Sequence, residues 1–238
     1  MRPANLLVLA GGFGTRLRSV VSDVPKPLAP VMNRPYLHYL IESWMAQGID
    51  QITFLLHHQA DLISAFLQSL HDEGRLKDCR VSVVTEPLPL GTGGAVAYAV
   101  RELEMIGPFL VANADTWLGH GIGQIAAERV PAMAIVQVAN SERYGRIRTK
   151  SGKVVSFEEK QANIGPGWIN AGLYHLHASF FAEWNGKPFS LERELFPKLV
   201  QRGDLCAVSL QTEFIDIGIP EDYLRFCRWI ESGKIGAP

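Results

Sequence analysis

Asn5-Leu6-Leu7-Val8-Leu9-Ala10-Gly11-Gly12-Phe13-Gly14-Thr15-Arg16-Leu17 sets a short apolar run directly against three glycines. An apolar run this brief, closed by glycine, reads as a buried strand, Asn5–Leu9, feeding a turn. Glycines let backbone N–H groups approach an anion closely and form a concave nest that suits phosphate. They could equally serve only to reverse the chain, and the stretch alone does not choose. Two familiar phosphate loops are excluded. No Gly-Lys-Ser/Thr closes the stretch, and Leu17 stands where a dinucleotide fingerprint needs its third glycine.

Beyond that loop, Tyr36, Leu37, Leu40, Ile41, Trp44 and Met45 recur at helical spacing, and Gly48 stands where a helix C′ residue would. The pattern then predicts strand Gln51–Leu56, helix Ala60–Leu70, strand Arg80–Thr85, helix Ala95–Leu103 and strand Phe109–Asn113. Alternating strands and helices of this kind predict an α/β, three-layer fold with a mostly parallel sheet in the first half. The second half changes character. Arg146–Lys150, Ser151-Gly152 and Lys153–Phe157 read as a hairpin with a Ser-Gly turn. A strand is expected over Ile169–His175, helices near Ala178–Trp184 and Leu191–Gln201, a strand at Phe214–Ile217 and a helix from Pro220 to Glu231. No Pro/Gly/Ser linker divides the halves, so residues 1–238 read as one domain.

With 23 Lys plus Arg against 24 Asp plus Glu, the formal charge of −1 argues against a nucleic-acid-binding surface spread over the whole protein. Cys79, Cys206 and Cys227 lack metal-ligand spacing and read as reduced, half-buried thiols. The apolar run at the N-terminus is too short for a signal peptide, and no stretch reaches the roughly 18 apolar residues of a membrane span. The expected setting is the cytoplasm.

Arg16 and the segment Pro25-Lys26-Pro27-Leu28 add cations to the glycine loop. Flanking prolines predict stiff, extended backbone at Lys26. Arg16 offers a planar fork for phosphate oxygens and Lys26 a compact point charge, a pair suited to a triphosphate. The competing reading leaves both as solvated surface cations.

LAGGFGTRL followed by PKPL resembles the signature of the sugar-1-phosphate nucleotidyltransferases. The resemblance continues in order through Glu86 and Gly91-Thr92-Gly93-Gly94, Asn113-Ala114-Asp115, Tyr144-Gly145, Phe157-Glu158-Glu159-Lys160, Asn170-Ala171-Gly172 and Asp216-Ile217-Gly218. Within the family, LRSVVSDVPKPLAPV is most similar to the D-glycero-α-D-manno-heptose 1-phosphate guanylyltransferases. The resemblance implies a Rossmann-like nucleotidyltransferase fold with a mixed, mostly parallel central sheet. It places a nucleotide-binding part at about 1–120 and a sugar-binding part at about 121–238. It also implies roles. Arg16 and Lys26 would hold the triphosphate, Lys26 nearest the α-phosphate. Leu9, Ala10, Gly11, Gly12, Gly14 and Thr15 would cradle the nucleotide, with Gly91 and Thr92 closing over the nucleoside. Asp115 and Asp216 would hold Mg²⁺; Tyr144, Gly145, Glu158, Lys160 and Asn170 would line the sugar phosphate. Either Asp could instead be a turn or cap residue.

The implied reaction joins a nucleoside triphosphate to a sugar 1-phosphate, in a homodimer by default. Guanine presents N1–H and N2–H side by side, and a carboxylate accepts both, so Glu86 is a candidate reader of GTP. The alternatives are UTP or CTP with a hexose 1-phosphate, a glycosyltransferase, or a catalytically silent sugar-nucleotide-binding subunit. A glycosyltransferase would need an Asp-x-Asp motif absent around Asp115, and a silent subunit should have lost Arg16, Lys26, Asp115 or Asp216, which are all present. Two departures from the family stand out: Ala114 precedes Asp115 where many members have glycine, and nothing supports an added C-terminal domain. His57 and His58 are adjacent and read as pointing apart, not as a metal pair. His175 and His177 lack a third ligand. Trp44, Trp184 and Trp229 read as core or interface, and Trp117 or Trp168 as possible sugar platforms.

Overall fold

The opening run forms strand β1 (Asn5–Leu9), with Leu6, Leu7 and Val8 fully buried. The computed structural model describes residues 5–17, 19–21, 23–158 and 165–234. After the glycine loop come β2 (Pro30–Val31), β3 (Arg34–Pro35), α1 (Tyr36–Ala46), β4 (Gln51–Leu56), α2 (Ala60–Asp72) and β5 (Arg80–Thr85). Next are α3 (Gly91–Glu102), β6 (Pro108–Asn113), β7 (Thr116–Leu118), α4 (Ile122–Ala127) and β8 (Ala132–Val138). The remainder holds β9 (Arg146–Lys150), β10 (Lys153–Glu158), β11 (Gly167–His177), α5 (Phe196–Gln201), β12 (Cys206–Leu210), β13 (Phe214–Asp216) and α6 (Pro220–Glu231).

The chain clusters into two interleaved compact units. The first takes residues up to Pro89, Asn113–Gly119 and the chain from Phe214 onward; the second takes Leu90–Ala112 and His120–Glu213. In the first unit β5, β4 and β1 pair side by side in parallel, Leu6 opposite Ile52 and Ile52 opposite Val81. Helix α1 buries Tyr36, Leu37, Leu40, Ile41 and Trp44 on one stripe and stops at Gly48. There φ is +90°, and the Gly48 N–H donates to Met45 O at 2.9 Å. Antiparallel β7 and β13 bring Thr116 opposite Asp216. Tyr36, Tyr39 and Trp117 pack around Phe226 of α6, with ring centroids 4.7, 6.0 and 5.4 Å from it.

In the second unit the strand order is β6-β11-β8-β12-β10-β9. Only β8 and β12 are parallel there; the other neighbours run antiparallel. The fold is thus α/β with a mixed sheet. The Ser-Gly hairpin forms as expected, Ser151 and Gly152 both at positive φ (48° and 72°), the turn that matches strand twist.

Four expectations need correction. Lys26 is not extended: it opens a short 3₁₀ turn, Lys26–Leu28, closed by Leu28 N–H to Pro25 O at 2.7 Å, and only Pro25 keeps extended backbone. Helix α3 starts at Gly91, not Ala95, because Phe189 O accepts from the N–H groups of Gly93 and Gly94 at 3.0 and 3.2 Å and so caps the glycine stretch. Ala178–Trp184 holds just the 3₁₀ turn Ala178–Phe181, cut off before Gly186 and Pro188. Leu191–Gln201 opens as a π-helical turn, Leu191–Leu195, since Pro197 has no N–H for the regular ladder. The cysteines are free, with Cys79 and Cys206 buried and Cys227 half-buried. Among the described residues no helix is long and apolar enough to cross a membrane.

Candidate active site

In the first unit the glycine loop and two distant aspartates meet at one lysine. Lys26 Nζ lies 2.5 Å from Asp115 Oδ2 and 3.5 Å from Asp216 Oδ1, with its own side chain only 10% exposed. Asp115 sits in the turn between β6 and β7. That turn is pinned by Ala114 N–H to Leu9 O at 3.0 Å and by Ile217 N–H to Asp115 O at 2.9 Å. Ala114 is buried and its φ is not positive, so glycine is not required there. Thr116 Oγ1 donates to Asp115 Oδ1 at 3.1 Å, and Gly218 N–H donates to Asp216 Oδ1 at 2.7 Å. A Cβ on Gly218 would fall 2.8 Å from Asp216 Oδ1 and 3.2 Å from Lys26 Nζ, so the cluster closes only around glycine.

Leu9, Ala10, Gly12, Gly14, Arg16 and Lys26 line one pocket together with Asp115 and Gly218. A Cβ on Gly12 would meet nothing within 4 Å, which leaves its backbone open to a ligand. Gly14 needs its positive φ of 58° and packs on Lys26 Cβ. Gly11 instead packs against His57 and the Glu86 carboxylate; Glu86 is buried rather than a solvated loop residue. Arg16 is exposed on the rim, and the Thr15 side chain lies outside the described residues. His57 and His58 follow β4 and flank Phe13 of the glycine loop, at 6.2 and 5.0 Å between ring centroids. His57 Nδ1 lies 3.3 Å from Glu86 O.

Beneath the carboxylates, Tyr36 is fully buried, and its phenol oxygen has no hydrogen-bond partner among the described residues. Burial first, then the negative fields of Asp115 and Asp216, push its pKa well above the ordinary phenol value, so the proton stays on. Trp117 is core, not a sugar platform: it is buried on Phe226.

The second unit holds the remaining candidates. A Cβ on Gly145 would come within 3.1 Å of Glu158 O, and Arg146 pairs across to both Glu158 and Ile169, beside Asn170. Gly145, Glu158 and Asn170 are therefore neighbours. Asn170 Nδ2 donates to Tyr174 Oη at 2.8 Å, and its Oδ1 accepts from Gly172 N–H at 2.9 Å. The Tyr144 hydroxyl accepts from Arg143 at 2.6 Å, and Arg148 donates to Glu158. Lys160 lies outside the described residues. Thr92 Oγ1 donates to Glu192 Oε2 at 2.6 Å. Glu192, 100 positions away, was not singled out from the sequence, where no motif connects it to Gly91-Thr92.

His175 and His177 are engaged locally, with Glu128 O and Ser179. Among the described residues no three His, Cys, Asp or Glu side chains gather as a metal-binding group. Asp115 and Asp216 do converge on a single cation, the Lys26 ammonium. Two carboxylates completed by phosphate oxygens and water are what Mg²⁺ takes, so this donor set fits that ion.

A family profile described as nucleotidyl transferase matches residues 5–232. The chain is 32% identical to D-glycero-alpha-D-manno-heptose 1-phosphate guanylyltransferase of Aneurinibacillus thermoaerophilus, over 92% of this chain and 95% of that one. It is 30% identical to the catalytic subunit beta of mannose-1-phosphate guanylyltransferase of Xenopus tropicalis, over 95% of this chain but only 64% of the frog protein's length. Its structure superposes on HddC of Yersinia pseudotuberculosis, crystallised with GMP-PN, at a TM-score of 0.82 and 33% identity, covering 94% and 98% of the two chains.

Proposed function

The chain belongs to the nucleotidyl transferase family, and on that premise we propose that it transfers GMP from GTP to D-glycero-α-D-manno-heptose 1-phosphate, releasing pyrophosphate. The observation that carries this reading is the Lys26–Asp115–Asp216 cluster, of which Lys26 and Asp115 line the glycine-loop pocket. The guanylyltransferase names and the nucleotide in the Yersinia structure favour guanine as the base.

The nucleophile is a phosphate oxygen of the sugar 1-phosphate, already ionised, so no side chain has to activate it. It attacks the α-phosphorus in line and pyrophosphate departs opposite. The protein's task is positioning and charge neutralisation. Lys26 neutralises the α-phosphate, Arg16 holds the outer phosphates, and the open backbone at Gly12 seats them. Asp115 and Asp216 would hold Mg²⁺, which supplies positive charge to the phosphate oxygens. Gly145, Glu158 and Asn170 form the sugar-phosphate side, with Lys160 as its clamp. A second reading keeps the chemistry and exchanges the acceptor for mannose 1-phosphate, favoured by the likeness to the frog enzyme.

The test is pyrophosphate release with Mg²⁺, running GTP, UTP, CTP, dTTP and ATP against heptose and hexose 1-phosphates. Release with GTP and the heptose phosphate is expected, and Lys26→Ala should lower turnover by about 10²-fold or more. Release with no pair, from folded protein that binds nucleotide, would sink the assignment and leave a silent binding subunit.

A further inference from the structure

Strands β7 and β13 pair Thr116 directly opposite Asp216. Side chains of a directly opposed pair stand on the same face of the ribbon, so Thr116 shares its face with the Asp216 carboxylate. Thr116 also follows Asp115 in the chain and sends its proton there: its Oγ1 donates to Asp115 Oδ1 at 3.1 Å. One threonine thus stands between the two carboxylates that meet Lys26, and all of these residues belong to the first unit.

A carboxylate needs such a partner to present one chosen oxygen. The χ2 torsion of aspartate is broad and roughly twofold, and the Asp115 side chain is 35% exposed. Among the described residues each of its oxygens has one donor, Thr116 Oγ1 on Oδ1 and Lys26 Nζ on Oδ2 at 2.5 Å. A threonine hydroxyl has a single proton. Given to Oδ1, that proton leaves Oδ2 as the oxygen turned to the cation. The donor itself is well fixed. Thr116 is buried, and its β-branched side chain is stiff at χ1. Its backbone is held by the pairing with Asp216 and, one residue earlier, by Ile217 N–H to Asp115 O at 2.9 Å. Trp117, next along β7, is buried against Phe226 and anchors the ribbon.

We infer that Thr116 is a positioning residue: its hydroxyl holds Asp115 with Oδ2 turned to the cation of the cluster, whether that is the Lys26 ammonium or a divalent ion. The inference rests on the proposed function in one respect: it takes Asp115 and Asp216 as the ligands of that ion.

The experiment titrates Mn²⁺ into the full chain without nucleotide, followed by electron paramagnetic resonance, and measures the Mg²⁺ dependence of pyrophosphate release. Thr116→Val keeps the β-branch and the strand and removes the proton. It should weaken Mn²⁺ binding by about tenfold, the low end for losing a residue that orients a metal ligand. The Mg²⁺ concentration for half-maximal release should rise by a similar factor, and kcat should return at saturating Mg²⁺. Thr116→Ser, which keeps the hydroxyl and loses the methyl, should stay close to wild type in both. In an Asp115→Asn background, Thr116→Val should add almost nothing. A merely structural Thr116 would lower Tm and kcat and leave the Mg²⁺ dependence unmoved. Unchanged Mn²⁺ affinity in folded Thr116→Val, equal losses in Thr116→Ser and Thr116→Val, or a full second loss in the Asp115→Asn background would each overturn the inference. So would Mn²⁺ that binds wild type no better than Asp115→Asn. If Thr116→Val proves unfolded on melting, Thr116→Ala against Thr116→Ser carries the comparison, with the loss expected in alanine alone. Failure of the proposed reaction shows separately, as absent pyrophosphate release by wild type with every substrate pair, and leaves the Mn²⁺ comparison standing.

Discussion

Replacing Lys26 with alanine should tighten the binding of a divalent ion in the absence of nucleotide, even as it removes the cation proposed to meet the α-phosphate. The Lys26 ammonium lies 2.5 Å from Asp115 Oδ2 and 3.5 Å from Asp216 Oδ1, in the position that an ion shared by both carboxylates would take. A divalent ion must displace it or bind beside it, and both are unfavourable. A charge pair at about 4 Å is worth about 1 kcal/mol in water and about 4 kcal/mol at an effective dielectric near 20. The carboxylates are 35% and 26% exposed, which pulls the figure toward the lower bound. Removing Lys26 should therefore favour the ion by about 1–3 kcal/mol, or roughly five- to hundredfold in Kd. Mn²⁺ titration followed by electron paramagnetic resonance, at low salt and without nucleotide, reads this directly. Lys26→Ala combined with Asp216→Asn should lose most of the gain. Equal or weaker Mn²⁺ binding by folded Lys26→Ala would refute the competition between ammonium and metal.

Three further outcomes follow from packing and titration. Gly93→Ala forces a methyl to within 2.2 Å of the Phe189 ring, so it should cost about 1–3 kcal/mol and lower Tm by several degrees; an unchanged melt contradicts that contact. Tyr36→Phe removes a buried phenol oxygen that has no partner among the described residues, so stability should hold or rise by about 1 kcal/mol; a clear loss in denaturant titration would mean the hydroxyl has a partner. Burial holds the His38 imidazole pKa below 6.5, Arg34 and Arg75 adding to the effect and Glu42 opposing it. Between that lowered pKa and about 6.5 the unfolded chain binds more protons, so stability should fall as pH drops from 7 toward 5. His38→Gln should flatten that slope, and an already flat wild-type profile would argue against it.

The first unit was the more legible in sequence. Strands β1, β4 and β5 are short apolar runs closed by turn residues, and α1 carries a clean helical stripe ended by glycine. In the second unit β8 carries no such signal. Ala132-Met133-Ala134-Ile135-Val136 is buried on both faces, so it lacks alternation, and its alanines and methionine lack β-branched character. Strand β12 is short and has Val208 as its single β-branched residue. The start of α3 is hidden in sequence because Gly91, Gly93 and Gly94 are poor helix formers alone; the carbonyl that caps the stretch comes from Phe189, about a hundred residues on. Glu192 was illegible for the same reason.

Lys26 stands out from its own setting between two prolines, Asp115 and Asp216 only through the family resemblance, and geometry explains why local reasoning cannot join the three. Each is supplied by a separate segment of the first unit, and the Asp115 turn is joined to its neighbours by long-range backbone bonds that no local pattern announces, Ala114 N–H to Leu9 O and Ile217 N–H to Asp115 O. Together the three side chains carry one positive and two negative charges, a net charge of −1 in a partly buried pocket. Such a set is balanced enough to stay folded and still short of one positive charge. Asp115 and Asp216 would hold a divalent ion bound with a triphosphate, and the ion would supply that missing positive charge to the phosphate oxygens. Lys26 and such an ion compete for the same two carboxylates under this proposal, which is why the Mn²⁺ titration of Lys26→Ala bears on mechanism as well as on metal affinity.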